Sequence, residues 1–201
     1  MFYDKELIAD TLRQWESCLM QFDLPSWEQL PPLDLYMDQV IALLGQYLGF
    51  LPAEESAGRI VTPTAINNYV RMRIMPPPKK KKYSRTHIAY LIMICALKQS
   101  VSIAHIQKMI PMGLTEEQVR SLYNDFTAQH KRACVSFLRQ VEGAVTRDVM
   151  SGEGGEDNAV GNFVTACAVS AGFYRQLAET IVKLQRAERQ PEQSVPNARK
   201  K

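Results

Sequence analysis

The sequence predicts an all-α protein, on two observations. Apolar residues recur at three- and four-residue spacing in successive segments from the N-terminus to Leu184. The breaks between those segments carry the serines, threonines, prolines and glycines that start and stop helices. A length of 201 residues with 46% hydrophobic and 22% charged content is enough for one large domain or two small ones with a real core.

The first helix is expected over 3–22, where Leu7, Ile8, Leu12, Trp15, Leu19 and Phe22 share a face. Pro25, Pro31 and Pro32 break the pattern, and a second amphipathic helix is expected over 34–48, with Leu35, Val40, Ile41, Leu44 and Leu48 inward and Gly49 as its stop. Thr62-Pro63 is a clear start signal, a cap followed by proline in the first helical position. That third helix ends before Pro76-Pro77-Pro78, because proline excludes helical geometry in the residue before it. Ser84 opens a helix with a buried stripe of Ile88, Leu91, Ile92, Cys95 and Ala96, and Ser102 a shorter one with Ile103, Ile106 and Ile110 inward. Thr115 with Gln118 forms a capping box for a long helix running to about Met150. A flexible acidic linker over 151–158, a last helix with Val160, Phe163, Val164, Cys167, Tyr174, Leu177, Ile181 and Leu184 on one side, and a disordered tail from Pro191 complete the chain. The organisation predicted is an N-terminal helix and linker over 1–33, a basic module over 34–113, a C-terminal helical region over 114–190 and a tail over 191–201.

Charge placement is the most informative feature. From Ser56 to Thr115 there is no Asp or Glu, and the window holds ten cations: Arg59, Arg71, Arg73, Lys79, Lys80, Lys81, Lys82, Arg85, Lys98 and Lys108. The rest of the chain keeps 14 of the 24 basic residues against all 21 acidic ones. A net charge of +3 thus divides into +10 and −7. Concentrating one sign costs self-repulsion, so an anionic partner is the expected reason for it.

Four scattered cysteines, Cys18, Cys95, Cys134 and Cys167, lie inside helical patterns and not in CxxC pairs, which predicts buried, reduced thiols in a cytoplasmic protein. The opening MFYDKELIADTLRQW lacks the pattern of a signal peptide, and the most apolar segment, 88–97, is half of the roughly 20 residues that a membrane span needs. His87, His105 and His130 are dispersed, and no HExxH, GxSxG, P-loop or dinucleotide pattern is present, so neither enzyme chemistry nor a cofactor is expected. His130 and Cys134, four residues apart, are too few to make a metal site.

Tyr69, Met75-Pro76-Pro77, the lysine run, Tyr83-Ser84 and Ser102-Ile103 occur in one order over about fifty residues. In that order they resemble the DNA-binding head of MerR-type regulators, and the whole chain looks like a poorly characterised bacterial group carrying this head on extra helices. The resemblance implies a winged helix-turn-helix with a short basic wing, the N- and C-terminal helices forming a bundle or hairpin around it. It implies a transcriptional regulator that reads double-stranded DNA and pairs as a homodimer through the C-terminal helices. Thr64, Asn67 and Asn68 are the short polar residues expected at base edges, where asparagine can bond both edge groups of adenine. Arg71, Arg73, Lys79, Lys80, Lys81 and Lys82 are expected along the backbone phosphates; Arg85 and Tyr83 join the expected DNA contacts, Tyr83 reading also as core or hinge packing. The competing reading is an interaction protein whose basic head docks an acidic protein or RNA. Sequence names no operator, effector or sign of regulation.

Overall fold

A computed structural model describes residues 5–51, 58, 60–144 and 156–184. Its architecture is helical with one small sheet. In chain order it runs α1 (Lys5–Gln21), a 3-10 turn (Trp27–Gln29), β1 (Leu35–Tyr36), α2 (Met37–Tyr47), α3 (Pro63–Arg71), β2 (Lys82–Tyr83), α4 (Arg85–Leu97), α5 (Ile103–Met109), α6 (Glu116–Ala144) and α7 (Glu156–Lys183).

α4 is the axis of the core. It is buried continuously from His87 to Cys95, where the periodicity predicts a single stripe, and Ala96 is only half-buried. The reason is enclosure: α2, α6 and β2 all pack on it, and a helix covered on every side is apolar all round. Ala89, Tyr90, Met93 and Ile94 therefore join Ile88, Leu91, Ile92 and Cys95 in the interior. The Tyr90 hydroxyl keeps a partner there by donating to the Pro111 carbonyl at 2.8 Å.

The proline-broken segment after α1 is part of the core and not a bare linker. Leu24, Trp27 and Leu30 are buried, and Ser26 opens the 3-10 turn with its N–H donating to the Gln29 side chain at 2.7 Å. Prolines forbid a helix here, so backbone carbonyls are left without helical partners, and side chains from distant elements supply donors. Tyr123 of α6 donates to the Pro25 carbonyl at 2.8 Å, Tyr47 of α2 to Gln29 at 3.1 Å, and the Arg85 Nε to Leu30 at 3.1 Å. Burial pushes the Tyr123 hydroxyl pKa well up, with the neighbouring Tyr47 adding to the shift, so it stays a proton donor.

The helix predicted from residue 34 begins at Met37, because Leu35 and Tyr36 are drawn into an antiparallel pairing with Tyr83 and Lys82. Gln39 then accepts the Tyr36 N–H at 2.9 Å at the start of α2. α6 starts where the sequence predicts, with Thr115 N–H donating to Gln118 at 2.9 Å and Gln118 N–H to the Thr115 hydroxyl at 3.3 Å. Its 29 residues extend about 43 Å. α1 lies along it. The Trp15 and Phe137 rings meet edge to face at 5.5 Å, Lys131 pairs with Asp23 at 2.7 Å, and the Cys134 thiol donates to the Leu19 carbonyl at 3.6 Å. Phe22, Phe50 and Phe126 surround His130, whose pKa burial lowers and Asp23 partly restores.

α7 starts at Glu156, so the last three residues of the predicted linker are helical. Residues 151–155, the predicted continuation of α6 to Met150 and the tail from Pro191 lie outside the described residues. α7 rests on α5, with Glu179 3.7 Å from His105. Of the four cysteines only Cys95 is buried; Cys18 and Cys167 are exposed and Cys134 is intermediate. The expectation of four buried thiols fails because α1 and α7 each cover one side only. No helix among the described residues is long and apolar enough to cross a membrane.

Candidate nucleic-acid interface

The Thr62 hydroxyl accepts the Ala65 N–H at 3.2 Å, and Pro63 occupies the first helical position, so α3 is fixed at its N-terminus by the residues that predicted it. Ile66 and Tyr69 are buried and hold the helix to the core. The opposite face is free: Thr64, Asn67 and Arg71 are exposed and Asn68 is half-buried. Spacings of three and four bring these positions to one side of the helix.

α3 ends in a Schellman turn. Ile74 N–H donates to the Tyr69 carbonyl and Arg73 N–H to that of Val70, both at 3.0 Å. Arg73 takes the left-handed position with φ 53°, a place where glycine is usual. Ile74 and Met75 then plunge into the core, at 0% and 1% exposure, and anchor the turn. From α5, the Gln107 amide donates to the Met72 carbonyl at 2.9 Å and closes the end of α3 from the other side.

The lysine run makes a minimal hairpin. Lys79 and Lys82 exchange backbone hydrogen bonds of 3.1 and 2.9 Å across Lys80 and Lys81, whose φ angles are 50° and 62°. Two consecutive positive φ angles are the signature of a type I′ turn, for which Asn-Gly is the favoured pair. Lys82 and Tyr83 continue as β2 against β1, so the hairpin is welded to the start of α2.

Behind it, Ser84 N–H donates to His87 Nδ1 at 3.0 Å, which requires Nε2 to carry the proton and donate to the Pro77 carbonyl at 3.1 Å. A neutral His87 thereby ties the start of α4 to the polyproline strap. Burial lowers its pKa, as does the charge of Lys79, while the Pro77 hydrogen bond and Asp34 oppose the shift. His87 lies three residues after Ser84, where a capping box normally has Glu or Gln, so the sequence did carry the signal.

The eleven predicted site residues separate into two groups. Thr64, Asn67, Arg71, Arg73, Lys79, Lys80 and Lys81 are exposed, with Asn68 half-buried among them. The other three face inward to different degrees. Tyr83 is 3% exposed and packs edge to face on His87 at 5.7 Å, so its ring is core and unavailable to a ligand. Arg85 is half-buried, bonded to Leu30 and 5.7 Å from the Trp27 ring centre, and the Lys82 ammonium is 5.1 Å from that of Tyr36. Sequence reasoning missed Gln107, whose bond to Met72 no local pattern encodes.

Among the described residues, none of the ion pairs involves Arg71, Arg73 or Lys79–Lys81. The three non-glycine residues with positive φ among the described residues are Arg73, Lys80 and Lys81. A left-handed conformation costs an L-residue about 1–2 kcal/mol. Cations are thus held at the three positions where glycine or asparagine would be easier. Strained backbone of this kind clusters at functional sites.

Residues 25–126, half of the chain, match the family described as a domain of unknown function (DUF1836). The matched span is wider than the 34–113 read from sequence: it takes in the buried Trp27 segment and the first turns of α6, and its two ends are joined by the bond from Tyr123 to Pro25. The chain matches no curated protein and no solved structure.

Proposed function

The chain belongs to the DUF1836 family, whose description assigns no activity, and we propose that it is a sequence-specific DNA-binding transcriptional regulator with a MerR-like winged helix-turn-helix head. In this reading α2 and α3 are the helix pair, α3 enters the major groove, and the Lys79–Lys82 hairpin is the wing. The observation that carries it is the strained, unpaired set of cations, Arg73, Lys80 and Lys81, joined through one short strap to a helix whose free face is Thr64, Asn67, Asn68 and Arg71. Division of labour follows from chemistry. Ammonium and guanidinium groups neutralise phosphates whatever the sequence, whereas asparagine amides discriminate between base edges. The sheet pairing to β1 and the His87 latch keep the two parts in fixed relation, which register on a duplex requires.

The test is binding of the full chain to random duplex over a salt series, then selection of bound fragments from genomic DNA. The proposal expects a steep salt dependence and an enriched motif. The competing reading, a head that docks an acidic protein or RNA, predicts retention on an acidic protein column or on single-stranded RNA with no enriched duplex motif.

A further inference from the structure

The small sheet has an outer face that the core does not use. Residues directly opposite each other on antiparallel strands put their side chains on the same face, and neighbours along a strand put theirs on opposite faces. Tyr36 pairs with Lys82, and Lys82 exchanges hydrogen bonds with Lys79 across the turn, so Lys79, Lys82 and Tyr36 stand in one row. Leu35 and Tyr83, the next pair, take the other face, and their burial agrees: Tyr83 is core and Leu35 half-buried. Tyr36 is 55% exposed and Lys79 is exposed, while the half-buried Lys82 turns in along the row, its ammonium 5.1 Å from the Tyr36 ring centre.

We propose that this row is a phosphate site, in which the Tyr36 hydroxyl donates to a duplex phosphate that the Lys79 and Lys82 ammonium groups neutralise. The proposal rests on the duplex-binding reading above and adds Tyr36, which is not among the eleven residues expected to touch DNA.

Strands lie about 4.8 Å apart, so the outer members of the row are about 10 Å apart at the backbone. A lysine stem from one side and a tyrosine ring from the other can both reach an anion lying over Lys82. The donor set suits a phosphodiester. Two ammonium groups and a phenol all donate, and the phosphate oxygens of a duplex take bonds from lysine and tyrosine. The cation–π contact with the ring restrains Lys82 in advance, which lessens the rotamer freedom lost on binding. The carboxylates closest in sequence, Asp34 and Asp38, leave the row open: among the described residues no ion pair joins either to Lys79 or Lys82, and Asp38 lines a groove along α2 with Ala42 and Gly45.

The experiment is titration of a labelled random duplex with the full chain over a salt series. Tyr36→Phe keeps the ring and both cations and removes one donor. Affinity should fall about tenfold at every salt concentration, the loss expected for a hydrogen bond to a charged group, with the slope on log salt unchanged. Lys79→Met with Lys82→Met should lower that slope by about 0.9, the value for one phosphate. In the double-methionine background Tyr36→Phe should change affinity less than about twofold, because groups that share one phosphate lose it together. The melting midpoint of Tyr36→Phe should match that of the parent, since the residue is exposed. A Tyr36→Phe chain that binds duplex like its parent, or that loses the full tenfold in the double-methionine background, overturns the site while duplex binding by the head stands. Equal losses with poly-glutamate in place of duplex make the row a general anion contact and overturn its assignment to phosphodiester. A parent chain with no affinity for duplex overturns the reading on which the proposal rests.

Discussion

Replacing Lys80-Lys81 by Asn-Gly should make the protein more stable and a weaker binder of duplex DNA. Both residues have positive φ, 50° and 62°. Left-handed geometry costs about 1–2 kcal/mol for an ordinary residue, and Asn-Gly is the pair that the type I′ turn favours. Glycine returns about 0.5–1 kcal/mol of that gain through the larger entropy of its unfolded chain. A net stabilisation of about 1 kcal/mol remains, a rise of roughly 2–4 °C in the melting midpoint for a chain of this size. Both ammonium groups are exposed, so nothing in the core changes. If each neutralises one phosphate, the slope of log affinity on log salt should fall by about 1.8, and at 0.15 M salt affinity should drop roughly 30-fold. Thermal unfolding followed by circular dichroism and fluorescence anisotropy with a labelled random duplex read the two effects. An Asn-Gly variant that binds random duplex as tightly as its parent at all salt concentrations refutes the assignment of the hairpin. One that melts lower refutes the strain argument.

Asn67→Ala should alter the motif recovered by fragment selection while leaving random-duplex affinity nearly intact, since a bidentate base contact contributes about 1–3 kcal/mol of discrimination. An identical motif would take α3 out of the groove. Trp27→Ala, a change in a segment whose sequence reads as linker, should cost about 3–5 kcal/mol, because the indole is 3% exposed and packs on Tyr123; chemical denaturation measures it, and a loss below 1 kcal/mol would return the segment to the surface. Buried His87 and half-buried His130 both have pKa values lowered by desolvation. The unfolded chain therefore takes up protons first: stability is complete above the unfolded value of about 6.5 and declines as pH falls through the folded values. Melting midpoints between pH 7.5 and 5 should fall, and less so in His87→Gln; equal slopes in the two proteins would remove His87 from the account.

What the sequence determined alone was local. Thr62-Pro63, Thr115 with Gln118, and the proline run act within three or four residues, and each fixes the helix boundary that it predicts. The acid-free window was equally legible, because charge is a property of composition, and the exposed cations of the candidate interface were readable from it. Core packing was already one reading of Tyr83 from sequence, but the contacts that hold it, and the inward positions of Lys82 and Arg85 in the candidate interface, were decided only by tertiary structure. Tyr83 is core because β2 pairs with β1, a contact between segments far apart in the chain that no local pattern encodes. Arg85 bonds Leu30 because prolines left that carbonyl free. The enclosure of α4 depends on α2, α6 and β2 arriving on different sides, so its even hydrophobicity was compatible with a one-sided stripe until the fold was assembled. The left-handed lysines follow from the same cause. A four-lysine run has no turn propensity of its own, and the hairpin is imposed where the buried Ile74 and Met75, the His87 latch and the strand pairing fix both ends of a short strap.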